Sequence, residues 1–139
     1  MFPPALARIL STALAQETSC LSVTLDGVRS DKGVLVLALF DREQAYLDNG
    51  PEVALVKVPA ATGRVEARFC GLAPGRYVLS TFHDEDNDNT LDMRLGIPLE
   101  GFAFGTNPPL LAGKPRFDDI VFQVSGAQVT QSVRLRYLL

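Results

Sequence analysis

The 139-residue chain has one histidine, two cysteines, no tryptophan and no run of basic side chains. Each shortage excludes something. A lone histidine, His83, rules out the multi-histidine sites of zinc hydrolases. The two cysteines, Cys20 and Cys70, are in no metal spacing such as C-x-x-C. The 13 Lys and Arg are scattered. Nucleic-acid affinity rests on clustered cations, so no nucleic acid is expected as a partner. No stretch reaches the roughly 18 uncharged apolar residues of a membrane-spanning helix. There is no G-x-S-x-G nucleophile elbow.

What is present is ordinary globular composition, 47% hydrophobic and 21% charged, with a net charge of −3. A chain of this length buries a core of its own as one domain. From Cys20 onward the apolar period is two. Ser19 to Val28 and Gly63 to Cys70 alternate. Gly33 to Phe40 is apolar on both faces, as an interior strand is. Val53 to Val58, Tyr77 to His83, Phe117 to Ser125 and Val129 to Leu138 complete seven strands. Asp41 to Gly50 holds room for a short helical turn. Pro74-Gly75 sets a turn, and Tyr77 anchors the strand that follows. The reading is an all-β fold: a seven-stranded antiparallel β-sandwich, transthyretin-like or immunoglobulin-like, with Greek-key connections.

Residues 19–139 form that single domain. Residues 1–18 are a signal peptide or a disordered leader. Ala13-Leu14-Ala15 before Gln16 fits a small-x-small cleavage site, although the uncharged stretch from Ile9 is short for an h-region. Cys20 and Cys70 fall in phase with the polar residues at two strand ends. A bridge and two free thiols both fit, and an oxidising compartment would preserve the bridge. The connection 84–116 is long and broken by glycines and prolines. Its apolar content, Ile97, Leu99, Phe102 and Phe104, points to an ordered loop packed on the sandwich.

Five of the 16 acids lie between Asp84 and Asp92. Counting Asp84 as position 1, Asp86, Asp88, Thr90 and Asp92 take positions 3, 5, 7 and 9. Alternate residues of a tight loop turn oxygens inward, which suits a hard cation such as Ca2+. In this set Asp84, Asp86 and Asp88 supply carboxylates and Thr90 its carbonyl, with Asp92 binding directly or through water. Asn89 stands where a helix–loop–helix calcium loop has Gly, a mild change because Asn tolerates the left-handed conformation. Position 12 is Leu95 rather than a bidentate Glu, and Glu100 is the candidate replacement. The competing reading is a solvated Asx-rich turn without metal. Arg94 is the only cation nearby in sequence. His83 precedes Asp84, but strand neighbours point to opposite faces, so the pair is poorly placed for a Ser-His-Asp arrangement. The plainer reading of His83 is an exposed or half-buried strand end.

Gly71-Leu72-Ala73-Pro74-Gly75-Arg76-Tyr77, the strand ending His83-Asp84-Glu85-Asp86-Asn87-Asp88-Asn89, and Gly96-Ile97-Pro98-Leu99-Glu100-Gly101-Phe102 resemble the bacterial domain-of-unknown-function family DUF2141. That family carries an L-P-x-G-x-Y turn, an H-D-x-N-x-N-G-x-x-D strand end and a G-I-P-x-E-G-x-G-F-S-N segment. The resemblance runs from about Leu21 to Tyr137. Asp86 and Asp88 replace Asn, Asn89 replaces Gly, and Ala103 and Gly105-Thr106 depart from G-F-S. The resemblance implies an exported bacterial β-sandwich protein, periplasmic or secreted, and carries over no catalytic residue.

The expected function is a non-enzymatic exported module with a calcium-type ion site at Asp84 to Asp92. Its expected partner is a cell-envelope protein or glycan. A carboxylate-dependent hydrolase or carbohydrate-active protein is the alternative. A ligand-binding module using the 97–104 loop is a third reading.

Overall fold

The computed structural model describes residues 18–89, 93–94, 97–98, 100–109 and 114–138. In chain order the strands are β1 (Ser19–Val28), β2 (Val34–Phe40), β3 (Ala54–Pro59), β4 (Gly63–Leu72), β5 (Gly75–Asp84), β6 (Met93–Arg94), β7 (Ile97–Pro98), β8 (Phe102–Phe104), β9 (Phe122–Val124) and β10 (Gln128–Arg134). Two helical turns, α1 (Glu43–Leu47) and α2 (Phe117–Ile120), are the helices among the described residues. One sheet has the order β10-β1-β4. The other runs β3-β2-β5-β8, with β9 on the start of β5. The result is an all-β sandwich.

Alternation assigns the faces. Leu21, Val23 and Leu25 of β1 meet Leu35, Leu37 and Leu39 of β2 in the layer between the sheets, and all six are fully buried. The second face of β2 explains its two-sided apolar run. Phe40, with Ala38 beside it, packs under α1 and α2 in a separate cluster with Tyr46, Val78, Phe117 and Ile120. Tyr46 is its centre, with ring centroids 5.9 Å from Phe40, 6.4 Å from Phe104 and 6.2 Å from Phe117. Its hydroxyl donates to the Pro115 carbonyl at 2.6 Å. β2 pairs with both β3 and β5, as an interior strand does. Tyr77 is buried, and its hydroxyl donates back to Ala73 at 2.5 Å across the Pro74-Gly75 turn.

Three details correct the sequence reading. The two sheets hold eight strands among the described residues, not seven. The extra strand is β8, three residues from the long connection, pairing with Ser80 to Phe82. The expected strand from Phe117 begins instead with a helical turn. A strand would send Phe117 and Ile120 to opposite faces; the turn buries both in one cluster, with Asp118 and Asp119 in solvent. Finally, β10 pairs with β1 in parallel, where an antiparallel sandwich was expected. The rest of the domain supplies the crossover that parallel pairing needs.

Cys20 and Cys70 form a disulfide between β1 and β4. Leu21 faces Phe69 one step along, so the two polar-face positions meet across the ladder. Gly33 precedes β2 at φ +67°, and a Cβ there would lie 1.9 Å from the Asp84 carbonyl oxygen. Only glycine admits that approach and that conformation.

Two outcomes are expected from this packing. The disulfide closes a loop with a sequence separation of 50. Chain entropy values such a link at about 4 kcal/mol. The Cys20→Ser, Cys70→Ser double variant should lose a large part of that in urea denaturation; equal midpoints would show the link to be thermodynamically idle. Thr81 Oγ1 is buried in the inter-sheet layer with no hydrogen-bond partner among the described residues. Thr81→Val replaces an unsatisfied hydroxyl with a methyl, so it should raise stability by about 1 kcal/mol. A lower denaturation midpoint would contradict this.

Candidate functional site

β5 carries its last two residues to opposite faces. His83 points into the inter-sheet layer and Asp84 to the outer face; both are fully buried. The exposed or half-buried histidine expected from sequence is therefore a fully buried one. Its ring nitrogens lie 2.8 Å from the Tyr137 hydroxyl and 2.7 Å from the Lys32 carbonyl.

Beyond Asp84 the chain folds back on its own carboxylate. Asp84 Oδ1 accepts the Asp88 N–H at 3.0 Å, and Oδ2 accepts the Asn89 N–H at 2.8 Å. Its main-chain carbonyl accepts the Asn87 N–H at 3.3 Å. The other two loop amides go to a second buried carboxylate, Glu100. Its Oε2 accepts from Glu85 at 2.8 Å and from Asp86 at 3.4 Å. Five successive amides, Glu85 to Asn89, thus converge on Asp84 and Glu100. Asn87 and Asn89 take left-handed φ values of 58° and 64°, which lets consecutive N–H groups point to one side.

One carboxylate oxygen from each of Asp84, Asp86, Asp88 and Glu100 lies within 4.8 Å of the others. Asp84 and Glu100 are buried; Asp86 and Asp88 are exposed. An ionised carboxylate has about four lone-pair sites, so accepting amide protons leaves capacity for a cation. Opposite ligands across a calcium ion are about 4.6–5.2 Å apart, since each bond is 2.3–2.6 Å. The four oxygens fit within that span.

Cations flank the loop. The Lys57 ammonium, from β3, hydrogen-bonds Asn89 Oδ1. The Arg29 guanidinium pairs with Glu85, with Nε 3.1 Å from Oε2, and the Ser30 hydroxyl adds a bond at 2.9 Å. Arg29 holds the Glu85 carboxyl below the usual range, against its partial burial. For Asp84, burial works to raise the carboxyl. The Asn89 and Asp88 amides outweigh it and hold the group below its ordinary value.

The structure therefore brings together three of the five residues read from spacing, Asp84, Asp86 and Asp88. Thr90 and Asp92 lie outside the described residues, as does Leu95. Glu100 takes a place in the cluster, and its only sequence signal was the empty position 12. Lys57 and Arg29 had no signal, because they reach the loop from β3 and from the β1–β2 connection. Of the 97–104 loop, Phe102 to Phe104 are absorbed into the sheet as β8, with Phe102 and Phe104 ring centroids 6.3 Å apart.

No curated protein and no solved structure matches the chain. A family model does match, over residues 23–132, under the description "Uncharacterized protein conserved in bacteria". That span takes in both sheets, the disulfide-bearing Cys70, the acidic loop and Glu100, and the chain belongs to this family, DUF2141.

Proposed function

We propose that this protein is a non-enzymatic, exported β-sandwich module whose acidic loop holds a calcium-type ion. Asp84 and Glu100 are its buried ligands and Asp86 and Asp88 its exposed ones. Thr90, through its carbonyl, and Asp92 complete the shell from the adjoining segment. The observation that carries the reading is the convergence of four carboxylate oxygens, from two separate segments, within 4.8 Å. Like charges so close repel unless a positive charge sits among them. A hard divalent ion supplies that charge and accepts six to eight oxygens without strict geometry.

Two further facts favour this over carboxylate-driven hydrolysis. Glycosidases hold their two carboxyl groups about 5–5.5 Å or 6.5–9.5 Å apart across a cleft. Here three of the four acids are on one turn, and the two buried ones are engaged by backbone amides. The disulfide supports export, since oxidising compartments preserve such links.

The test is a thermal melt with millimolar calcium against chelator. Calcium at a hundredfold excess over its dissociation constant should stabilise the fold by about 2.7 kcal/mol. For a domain of this size that corresponds to a rise on the order of 10 °C. Asp86→Ala and Glu100→Gln should each shrink the rise, the first with little effect on the melt in chelator. Coincident wild-type melts, with no metal in elemental analysis, would leave a metal-free turn and defeat the reading.

A further inference from the structure

After β10 the chain continues past β8 as a short strap. Arg136 exchanges both backbone hydrogen bonds with Phe102, at 3.0 and 2.9 Å. The next residue, Tyr137, lies at the point where β5 enters the acidic loop. Its hydroxyl is 2.8 Å from His83 Nδ1 and accepts the Arg29 N–H at 3.1 Å. His83 Nε2 is 2.7 Å from the Lys32 carbonyl. A carbonyl only accepts, so Nε2 carries a proton, and in the neutral ring Nδ1 accepts from Tyr137. The donors run in one direction: Arg29 N–H to the Tyr137 oxygen, Tyr137 O–H to His83, and His83 N–H to Lys32.

The ring of Tyr137 has work of its own. The Arg29 guanidinium lies 4.4 Å from its centroid, and that same guanidinium pairs with Glu85. On another side the ring presses on Gly101, where an added Cβ would lie 2.3 Å from its edge. The His83 main-chain N–H donates to the Gly101 carbonyl at 2.8 Å, which ties the two neighbours of the ring together. Tyr137 thus touches the residue before Asp84, the residue after Glu100 and the ion-pair partner of Glu85.

We propose that Tyr137 is a positioning residue. Through it the C-terminal strap fixes where the Asp84 and Glu100 carboxylates stand, so the order of the acidic loop depends on the strap being docked. The same dependence extends to ion affinity; that part rests on the calcium reading above, and the part about loop order does not.

Tyr137→Phe tests it, because it keeps the ring packed and removes only the hydroxyl. The control is Tyr46→Phe, which removes a hydroxyl bonded to the Pro115 carbonyl, in the other apolar cluster. Both variants should melt somewhat lower than wild type. Amide hydrogen exchange, measured in chelator, should quicken at Glu85 to Asn89 in Tyr137→Phe and stay at the wild-type rate in Tyr46→Phe. Calorimetric calcium affinity should fall roughly tenfold in the first and be unchanged in the second, the scale seen when residues that orient metal ligands are altered. Wild-type exchange at Glu85 to Asn89 in Tyr137→Phe overturns the proposal whatever calcium does. If wild type itself binds no calcium, the ion reading falls, and the exchange comparison alone upholds or overturns the strap.

Discussion

A strand buried on both faces has no solvent side on which a polar residue can rest. β5 is such a strand: Tyr77 and Leu79 face the layer between the sheets, and Val78 faces the cluster under the helical turns. Away from its exposed Arg76, a polar group on it is shielded from water and is costly without a partner inside the protein. His83 finds two, Lys32 and Tyr137, and these draw the β1–β2 connection and the C-terminal strap onto the end of the strand. Asp84 finds the amides of its own loop. Thr81 finds none among the described residues, and it lies mid-strand between Leu37 and Ala103, where both neighbours are apolar. The shape of the candidate site follows from how β5 ends, because solving the polar problem there fixes the loop beyond it.

The same constraint separates the acids into two kinds. Asp84 and Glu100 are buried and receive backbone amides, so they define the base of the loop with or without an ion. Asp86 and Asp88 are exposed at its rim. A cation in such an arrangement is not needed to build the loop. It would draw the rim acids onto a base that the amides have pre-formed, and the ordering that binding must supply is confined to the rim. Lys57 and Arg29 stand beside this cluster, Lys57 bonded to the neutral Asn89 amide and Arg29 paired with Glu85.

Much of the fold was legible because period-two alternation reports directly which face is buried. The two-sided run from Gly33 to Phe40 correctly marked an interior strand, and the P-G turn with Tyr77 behaved as its chemistry dictates. What escaped was decided by tertiary neighbours. β8 is three residues in a glycine-broken stretch, too short for any period to show. Phe117 to Ile120 reads equally as strand or turn until a partner surface chooses. For the site, spacing found Asp84, Asp86 and Asp88, since local chain geometry brings alternate residues of one turn together. It could name Glu100 only as a stand-in for a missing ligand, and it saw nothing of Lys57, Arg29 or Tyr137, which arrive from three other segments. His83 was misjudged because its burial is imposed by the strap, far away in sequence.

Two glycines show where this molecule concentrates its rigidity. Gly33 allows the backbone before β2 to approach the Asp84 carbonyl, and Gly101 allows the Tyr137 ring to lie against the chain beside Glu100. Both contacts are at the roots of the acidic loop, one beside each buried carboxylate. Neither tolerates a methyl group without displacing backbone or an aromatic ring. Close packing of this kind leaves little room for the roots to shift. A site meant to hold its ligands by flexibility would place the freedom at the base. Here the base is clamped by sterics and amide hydrogen bonds, and Asp86 and Asp88 are the two acids that face water. That division places the order of the acidic loop under the segments that clamp its base.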